Sequence, residues 1–147
     1  CPKVYNYRKV GYFSPGTLKY VNTVYELVQT FGSMKNWNIL EFGAGYGGLS
    51  MIMSAVVQWG SYTLTEISGV ILLLNTCIKY SSLKNFKTIL SKDIKSDEKY
   101  DLFISEFGYC ELDEKGIDNY MYVLKNSKNA YLAMNLWNKT SKKKIKR

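Results

Sequence analysis

The chain of 147 residues is 46% hydrophobic and 15% aromatic, which suffices for the core of one domain and excludes an extended disordered chain. Because it contains no histidine, hydrolases that use a Ser-His-Asp or Cys-His arrangement are excluded as well. Its formal net charge is +8, but six of the 20 basic residues lie in 139–147 and leave 14 basic residues against 12 acidic ones. We therefore predict a nearly neutral domain over 1–138 and a basic tail over 139–147.

The cysteines and the hydropathy pattern indicate the cellular location in which the chain is expected. The three cysteines, Cys1, Cys77 and Cys110, are odd in number and widely spaced, which disfavours a disulfide framework and a structural zinc site. A reducing, cytoplasmic location and no bound metal are expected. No apolar run approaches the roughly 18 residues that a membrane span requires, and no signal peptide is evident. A first residue other than methionine suggests a segment of a longer protein, whose other domains would be its partners.

The predicted elements alternate along the chain. Apolar residues at helical spacing predict a first helix over 17–31, with Thr17 as its N-terminal cap. Strands are predicted over 38–42, 62–66, 87–90, 100–105 and 130–135, and further helices over 49–59, 68–80 and 113–124, the last capped by Asp113. This alternation predicts a Rossmann-like, three-layer α/β sandwich with a mostly parallel central sheet.

Functional residues are expected at one edge of this sheet. Right-handed crossovers bring the carboxyl ends of all parallel strands to the same edge, where ligands of such folds bind. The segments that follow the predicted strands, and are therefore expected at this edge, are 41–48, 66–67, 93–94, 106–111 and 135–138.

A glycine-rich loop between the first strand and the second helix, residues 43–48, satisfies two patterns. Read as G-x-G-x-x-G, it matches the dinucleotide-binding fingerprint; read from Glu41 as E-x-G-x-G-x-G, it matches motif I of S-adenosylmethionine-dependent methyltransferases. Both require glycine, because the chain turns sharply and its backbone approaches a ligand. Gly43, Gly45 and Gly47 are therefore predicted to bind the cofactor.

Charge distinguishes the two patterns. A dinucleotide places its pyrophosphate at the helix N-terminus, where a carboxylate at the strand end is unfavourable. Glu41 is such a carboxylate, and it suits the cationic sulfonium and ammonium groups of S-adenosylmethionine. We therefore predict S-adenosylmethionine as the cofactor, with a nicotinamide dinucleotide as the alternative.

Further predicted cofactor-binding residues follow the next two strands. Glu66 can accept hydrogen bonds from both ribose hydroxyls, with Ile67 beside it, although a strand-end glutamate can also be merely exposed. Asp93 is a candidate for the adenine amino group, with Ile94 packing on the ring. Tyr46, inside the glycine loop, is predicted to close over the cofactor or to pack in the core.

Segments 39–49 and 100–112 together resemble the sugar O-methyltransferase family, a branch of class I S-adenosylmethionine-dependent enzymes. Three features carry the resemblance. They are the tyrosine inside the glycine loop followed by Gly-Gly-Leu, the segment after the fourth strand that contains aromatic residues and ends in Glu111-Leu112, and a helix with Asp118-Asn119-Tyr120. Asn135 at the end of the last predicted strand also fits. The resemblance covers about 14–138.

The resemblance implies methyl transfer from S-adenosylmethionine to a sugar hydroxyl, with S-adenosylhomocysteine as product. The acceptor would be a glycan or nucleotide sugar, for example a deoxyhexose such as rhamnose. A complete class I fold has seven strands and only five are predicted here, so we expect a fold truncated at its C-terminal strands.

Without histidine, the base that takes the hydroxyl proton must be another side chain. Glu106 and Glu111 are the predicted candidates, Glu106 being also close enough to bind the cofactor, and Tyr109 is predicted to orient the acceptor. Glu111 matches the family motif, but it can instead simply begin the next helix, where its charge complements the helix dipole. Tyr12 and Lys19 are candidates for the cofactor's carboxylate, and Trp137 for stacking on a sugar ring.

Two further functions remain open. The basic tail suggests an RNA-modifying methyltransferase. However, the loop after the fourth strand lacks the Asn/Asp-Pro-Pro-Tyr sequence of enzymes that methylate base amino groups. Nucleic acid is therefore not the expected partner. The other is an inactive cofactor-binding module within a glycan-synthesis protein.

Overall fold

The computed structural model describes residues 3–95 and 97–134. The helices of this part are α1 (Pro15–Phe31), α2 (Gly48–Met53), α3 (Ile71–Lys79) and α4 (Glu114–Lys125). Its strands are β1 (Tyr5–Tyr7), β2 (Gly11–Phe13), β3 (Asn38–Phe42), β4 (Ser61–Glu66), β5 (Phe86–Leu90), β6 (Tyr100–Glu106) and β7 (Ser127–Ala133). Short 3-10 turns follow β5 (Ser91–Asp93) and β6 (Gly108–Glu111).

The five longer strands form one parallel sheet in the order β5-β4-β3-β6-β7. The strand order reverses at β3, because the chain passes outward through β4 and β5 and then returns to β6 on the other side. The cleft between β3 and β6 is thus the topological switch point, where ligands bind in open α/β sheets. The fold predicted from the sequence is confirmed.

Side chains of the sheet alternate between two cores. Ile39, Tyr62 and Leu64 face the core that α1, α2 and α3 cover, and Leu40 and Phe103 face the core beneath α4. These five side chains are almost completely buried, so both faces of the sheet are closed by helices. The result is three layers, with the carboxyl edge of the sheet open at the switch point.

The start of α1 differs from the prediction. Thr17 was predicted as the cap, but the Oγ of Ser14 accepts the backbone N–H of Thr17 at 3.1 Å and the helix begins at Pro15. Proline suits the first helical position, because its fixed φ is helical and its missing N–H would have no partner there. The cap prediction was therefore wrong by three residues.

Other boundaries shift for local reasons. Helix α2 ends before 59 because the N–H groups of Ala55 and Val56 bond carbonyls three residues back, and α3 starts later than 68 because Val70 does the same. Strand β7 lies earlier than predicted, since it pairs with β6 over its whole length. The hairpin of β1 and β2 was not predicted, because strands of three residues are too short for a periodic signal.

None of the helices in the described part is long and apolar enough to cross a membrane. The predictions for 135–138, Trp137 and the basic tail lie outside the described residues.

Candidate functional site

The glycine loop is held by the neighbouring strand. The N–H groups of Gly43 and Ala44 both donate to the carbonyl of Thr65, at 3.1 and 3.0 Å. Gly43 has φ +72°, and a Cβ built on it would lie 3.0 Å from the Cα of Gly108. Two loops, one after β3 and one after β6, therefore meet through a glycine pair that leaves no room for a side chain.

Glu66 closes the loop from the end of β4. Its Oε1 accepts the N–H of Gly45 at 2.8 Å, and its Oε2 accepts the N–H of Ile67 at 2.8 Å. A carboxylate oxygen can accept more than one hydrogen bond, so each oxygen retains acceptor capacity. The carboxylate is thereby fixed in place while still able to receive two hydroxyl groups.

Glu41 lies beneath the loop and is 97% buried, with its Oε2 accepting the hydroxyl of Tyr62 at 2.8 Å. Burial raises the pKa of the Glu41 carboxyl to about 8, against the lowering effect of the Tyr62 hydrogen bond, and the nearby charges of Glu106 and Glu66 raise it further. The neutral form of Glu41 is therefore favoured at pH 7 unless a cation lies beside it, and a bound cation would favour the ionised form.

Glu106, at the end of β6, is already paired. Its Oε1 accepts the hydroxyl of Thr23, and its Oε2 lies 3.0 Å from the ammonium of Lys19. The same ammonium lies 4.5 Å from the centre of the Phe107 ring. Its Oε1 is thus hydrogen-bonded to α1, and its buried Oε2 is ion-paired with Lys19 but accepts no hydrogen bond. This arrangement supports Glu106 as an anchor for Lys19 more than as the base that the sequence suggested.

These groups line one cavity of about 320 Å³ at the switch point, which we call the glutamate-lined cavity. Its lining consists of Glu41, Glu66, Glu106 and Glu111, the backbone of Gly43, Ala44, Gly45 and Gly108, and the rings of Tyr20 and Phe107. Among the residues that the structure describes, no three carboxylate or thiol groups are arranged to hold a metal ion. The carboxylates of Glu66 and Glu111, together with Glu41 once a bound cation favours its ionised form, suit an organic cation and oppose a diphosphate.

Two tyrosines cover the start of α2. The rings of Tyr20 and Tyr46 meet edge to face, 6.1 Å apart. A Cβ on Gly48 would lie 2.6 Å from both side chains, so glycine at this position makes room for them. Tyr46 is 42% exposed, and its ring lies against Gly48 at the end of the glycine loop.

A smaller cavity of about 200 Å³ adjoins the first through Glu66, and is also lined by Ile67, Ser91 and Tyr120. Neither Ser91 nor Tyr120 was predicted from the sequence as a site residue, and Tyr120 was named only as part of the family resemblance. The predicted partners of adenine, Asp93 and Ile94, do not line it.

Asp93 is exposed and the side chain of Ile94 is buried in the core beneath α4. The physical reason is the 3-10 turn after β5, which directs Ser91 rather than Asp93 to the cavity. The positions of Asp93 and Ile94 thus do not support the adenine contacts predicted for them.

Tyr109 and Tyr12 also lie away from the cavity. The Tyr109 hydroxyl donates to the carbonyl of Ile117 at 3.4 Å, and its ring packs against Phe42 and Phe103. Since its hydroxyl faces α4, its position does not support the predicted role in orienting an acceptor. Tyr12 is 71% exposed on the hairpin.

Comparison with known proteins identifies solved structures that share this fold. No protein-family model and no curated protein matches the sequence. Among solved structures, magnesium protoporphyrin IX methyltransferase (ChlM) from Synechocystis PCC 6803, crystallised with S-adenosylhomocysteine, has a TM-score of 0.60 at 17% identity, covering 89% of this chain and 62% of its own. The glycopeptide N-methyltransferase MtfA has a TM-score of 0.60 at 16% identity, covering 74% and 49%.

A third similar structure is PH1948 from Pyrococcus horikoshii, a candidate RNA methyltransferase, with a TM-score of 0.62 at 15% identity, covering 98% of this chain and 74% of its own. The chain spans 49% to 62% of the length of the ChlM and MtfA structures that it matches. These similarities show that the chain has the Rossmann-like fold of class I methyltransferases.

Proposed function

We propose that the glutamate-lined cavity binds S-adenosylmethionine and that the protein transfers its methyl group to a sugar hydroxyl, leaving S-adenosylhomocysteine. The observation that carries this proposal is the combination of the glycine loop with four glutamates around one cavity. A sulfonium and an ammonium are attracted there, whereas a pyrophosphate is repelled. ChlM, which shares the fold, was crystallised with S-adenosylmethionine and with its product.

Each part of the cofactor has a chemically suitable neighbour. Glu66 would accept the two ribose hydroxyls, and the adjoining cavity with Ile67 and Tyr120 would enclose the adenine. Glu41 would balance the positive charge of the amino-acid end. The ammonium of Lys19, which is 43% exposed and contacts Glu106 and the Phe107 ring of the lining, would pair with the carboxylate of the cofactor.

The cavity also offers a carboxylate that could take the proton of the acceptor hydroxyl. S-adenosylmethionine supplies an electrophilic methyl group, and the chain must position the acceptor oxygen in line with it. Glu111 is exposed and lines the cavity, while Glu106 is held by α1. We therefore assign the base to Glu111. The sugar acceptor rests on the resemblance of segments 39–49 and 100–112 to sugar O-methyltransferases.

Replacing Glu66 by alanine is expected to abolish stabilisation by S-adenosylhomocysteine. A ligand at 100 times its Kd stabilises by about 2.7 kcal/mol, which in a domain of this size corresponds to a rise in Tm of roughly 5–10 °C. The measurement is a thermal melt with and without ligand. Glu114→Gln, an exposed change outside the cavity, serves as control and should keep the full shift. An equal shift in both variants would show that Glu66 does not hold the ribose.

Glu111→Gln is expected to lower kcat about 100-fold or more, because general base catalysis contributes 10²–10⁴ to such rates. Transfer from radiolabelled S-adenosylmethionine to a panel of methyl glycosides and nucleotide sugars measures this, and Glu114→Gln again serves as control. Stabilisation by S-adenosylhomocysteine should fall far less than turnover in Glu111→Gln, because this product lacks the sulfonium charge of the cofactor. A Glu111→Gln variant with wild-type turnover would remove Glu111 from the mechanism.

The same assay distinguishes the other two functions. Transfer to RNA, with a salt-dependent gel shift that is absent with a nucleotide sugar, would favour an RNA-modifying enzyme that uses the basic residues of 139–147. Binding of the cofactor without transfer to any acceptor would favour a module that lacks catalytic activity.

A further inference from the structure

A second concave surface lies beside the glutamate-lined cavity. This groove, of about 650 Å³, runs between the β1–β2 hairpin, the start of α1, the glycine loop and α3. The rings of Tyr5, Tyr20 and Tyr46, the hydroxyls of Ser14 and Thr17, and Leu73 line it. Tyr5 and Leu73 are 50% and 54% exposed, so the groove presents unusually accessible apolar surface.

The chemistry of the groove is opposite to that of the cavity. Of the described residues that line the groove, none is acidic, and Lys3 supplies the only charge. A cationic cofactor therefore has no counter-charge there. Tyrosine faces instead suit the apolar face of a sugar ring, and the paired hydroxyls of Ser14 and Thr17 retain hydrogen-bonding capacity for its hydroxyl groups.

The groove and the cavity share a wall. Tyr20 lines both, and Tyr46, which lines the groove, belongs to the glycine loop that lines the cavity. A ring seated in the groove would thus contact the same loop that contacts the cofactor. One of its hydroxyls would reach past Tyr20 into the cavity that Glu111 lines.

We infer that this groove is the acceptor site and binds a sugar ring by stacking on its tyrosines. The inference rests on the proposed function, since it assigns the acceptor of the same reaction. It predicts that changes in the groove weaken binding of the sugar and leave binding of the cofactor product unaffected.

The test uses the chain saturated with S-adenosylhomocysteine and a panel of methyl glycosides that includes methyl α-L-rhamnopyranoside. Saturation-transfer difference NMR reports which glycosides bind. Tyr5→Ala and Leu73→Asp alter the groove from two separate elements. Tyr25→Ala and Leu72→Asp are matched controls, because both residues are exposed, 62% and 74%, and neither lines the groove.

We expect at least one glycoside to bind the wild type, with affinity at least fivefold lower in both groove variants and unchanged in both controls. The rise in Tm with S-adenosylhomocysteine should be the same in all five proteins, which also shows that they fold. Equal glycoside binding in all five, or no glycoside binding to the wild type while S-adenosylhomocysteine still stabilises it, would overturn the groove assignment and leave the cofactor site standing. Absence of stabilisation by S-adenosylhomocysteine in the wild type would instead overturn the proposed function.

Discussion

Replacing Glu41 by glutamine is expected to stabilise the empty protein at pH 9 by roughly 5 kcal/mol relative to wild type. The carboxyl is buried against the hydroxyl of Tyr62, and burial raises its pKa from 4.5 to about 8. Between those two pH values the unfolded chain loses this proton while the folded chain keeps it. The free energy of unfolding of the wild type therefore falls as the pH rises from 4.5 to 8, and this contribution is constant above 8.

Glutamine removes this pH dependence, because its amide has the same shape, does not ionise, and can still accept the Tyr62 hydrogen bond through its oxygen. Urea unfolding of the ligand-free protein at pH 5, 7 and 9 measures the difference, which should grow with pH. Glu114→Gln is the control, and its free energy of unfolding should change with pH in the same way as that of wild type. A Glu41→Gln difference that is constant across this range would show that the pKa of Glu41 is not raised.

The same substitution should weaken binding of S-adenosylmethionine at least tenfold at pH 9, because the neutral amide cannot balance the cofactor's charge. Isothermal titration of wild type and Glu41→Gln tests this. Glutamate at position 41 would thus favour cofactor binding at the expense of the stability of the ligand-free protein, as expected where function conflicts with stability.

The second large effect is expected from Gly43→Ala. Gly43 has φ +72°, and its new Cβ would lie 3.0 Å from the backbone of Gly108, so the loops after β3 and β6 would have to separate. We expect a loss of stability of about 1–3 kcal/mol from the strained backbone, and a loss of S-adenosylhomocysteine affinity of at least tenfold from the displaced loops. Urea unfolding and isothermal titration measure the two effects.

Gly32→Ala is the matched control for this prediction. Gly32 also has a positive φ, +63°, but nothing lies within 4 Å of a Cβ placed there, and it ends α1 away from the cavity. That variant should lose stability and keep its affinity for S-adenosylhomocysteine. A Gly43→Ala variant that binds as tightly as wild type would contradict the importance of the glycine contact.

The parts of the fold that sequence predicted well are those with local signals. The strand Asn38–Phe42 was predicted at its observed bounds, because five residues of mostly apolar character stand between polar and glycine-rich segments. Asp113 was predicted as a cap and accepts the N–H of Gly116 at 2.7 Å. Glu41, Glu66, Glu106 and Glu111 share one cavity because parallel strands end at one edge, which the alternation of elements implies.

What was missed depends on contacts between distant segments. Nothing in the spacing of residues 19 and 23 indicates that both side chains reach Glu106, more than 80 positions later. Tyr109 was expected at the site because it follows a strand, but its ring packs against Phe42 and Phe103 and its hydroxyl donates to the carbonyl of Ile117. Tyr120 lies on α4, and only the packing of that helix brings it near Glu66.

The attachment of Glu106 to α1 has a consequence for how the domain is assembled. Its counter-ion comes from the first helix, whereas the strand that carries it pairs with β3 and β7. A sheet formed without α1 would leave this carboxylate without its cation, and desolvating such an unpaired charge is costly. Docking of the amino-terminal helix therefore supplies both the cation and the hydroxyl that hold Glu106 at the edge of the ligand site.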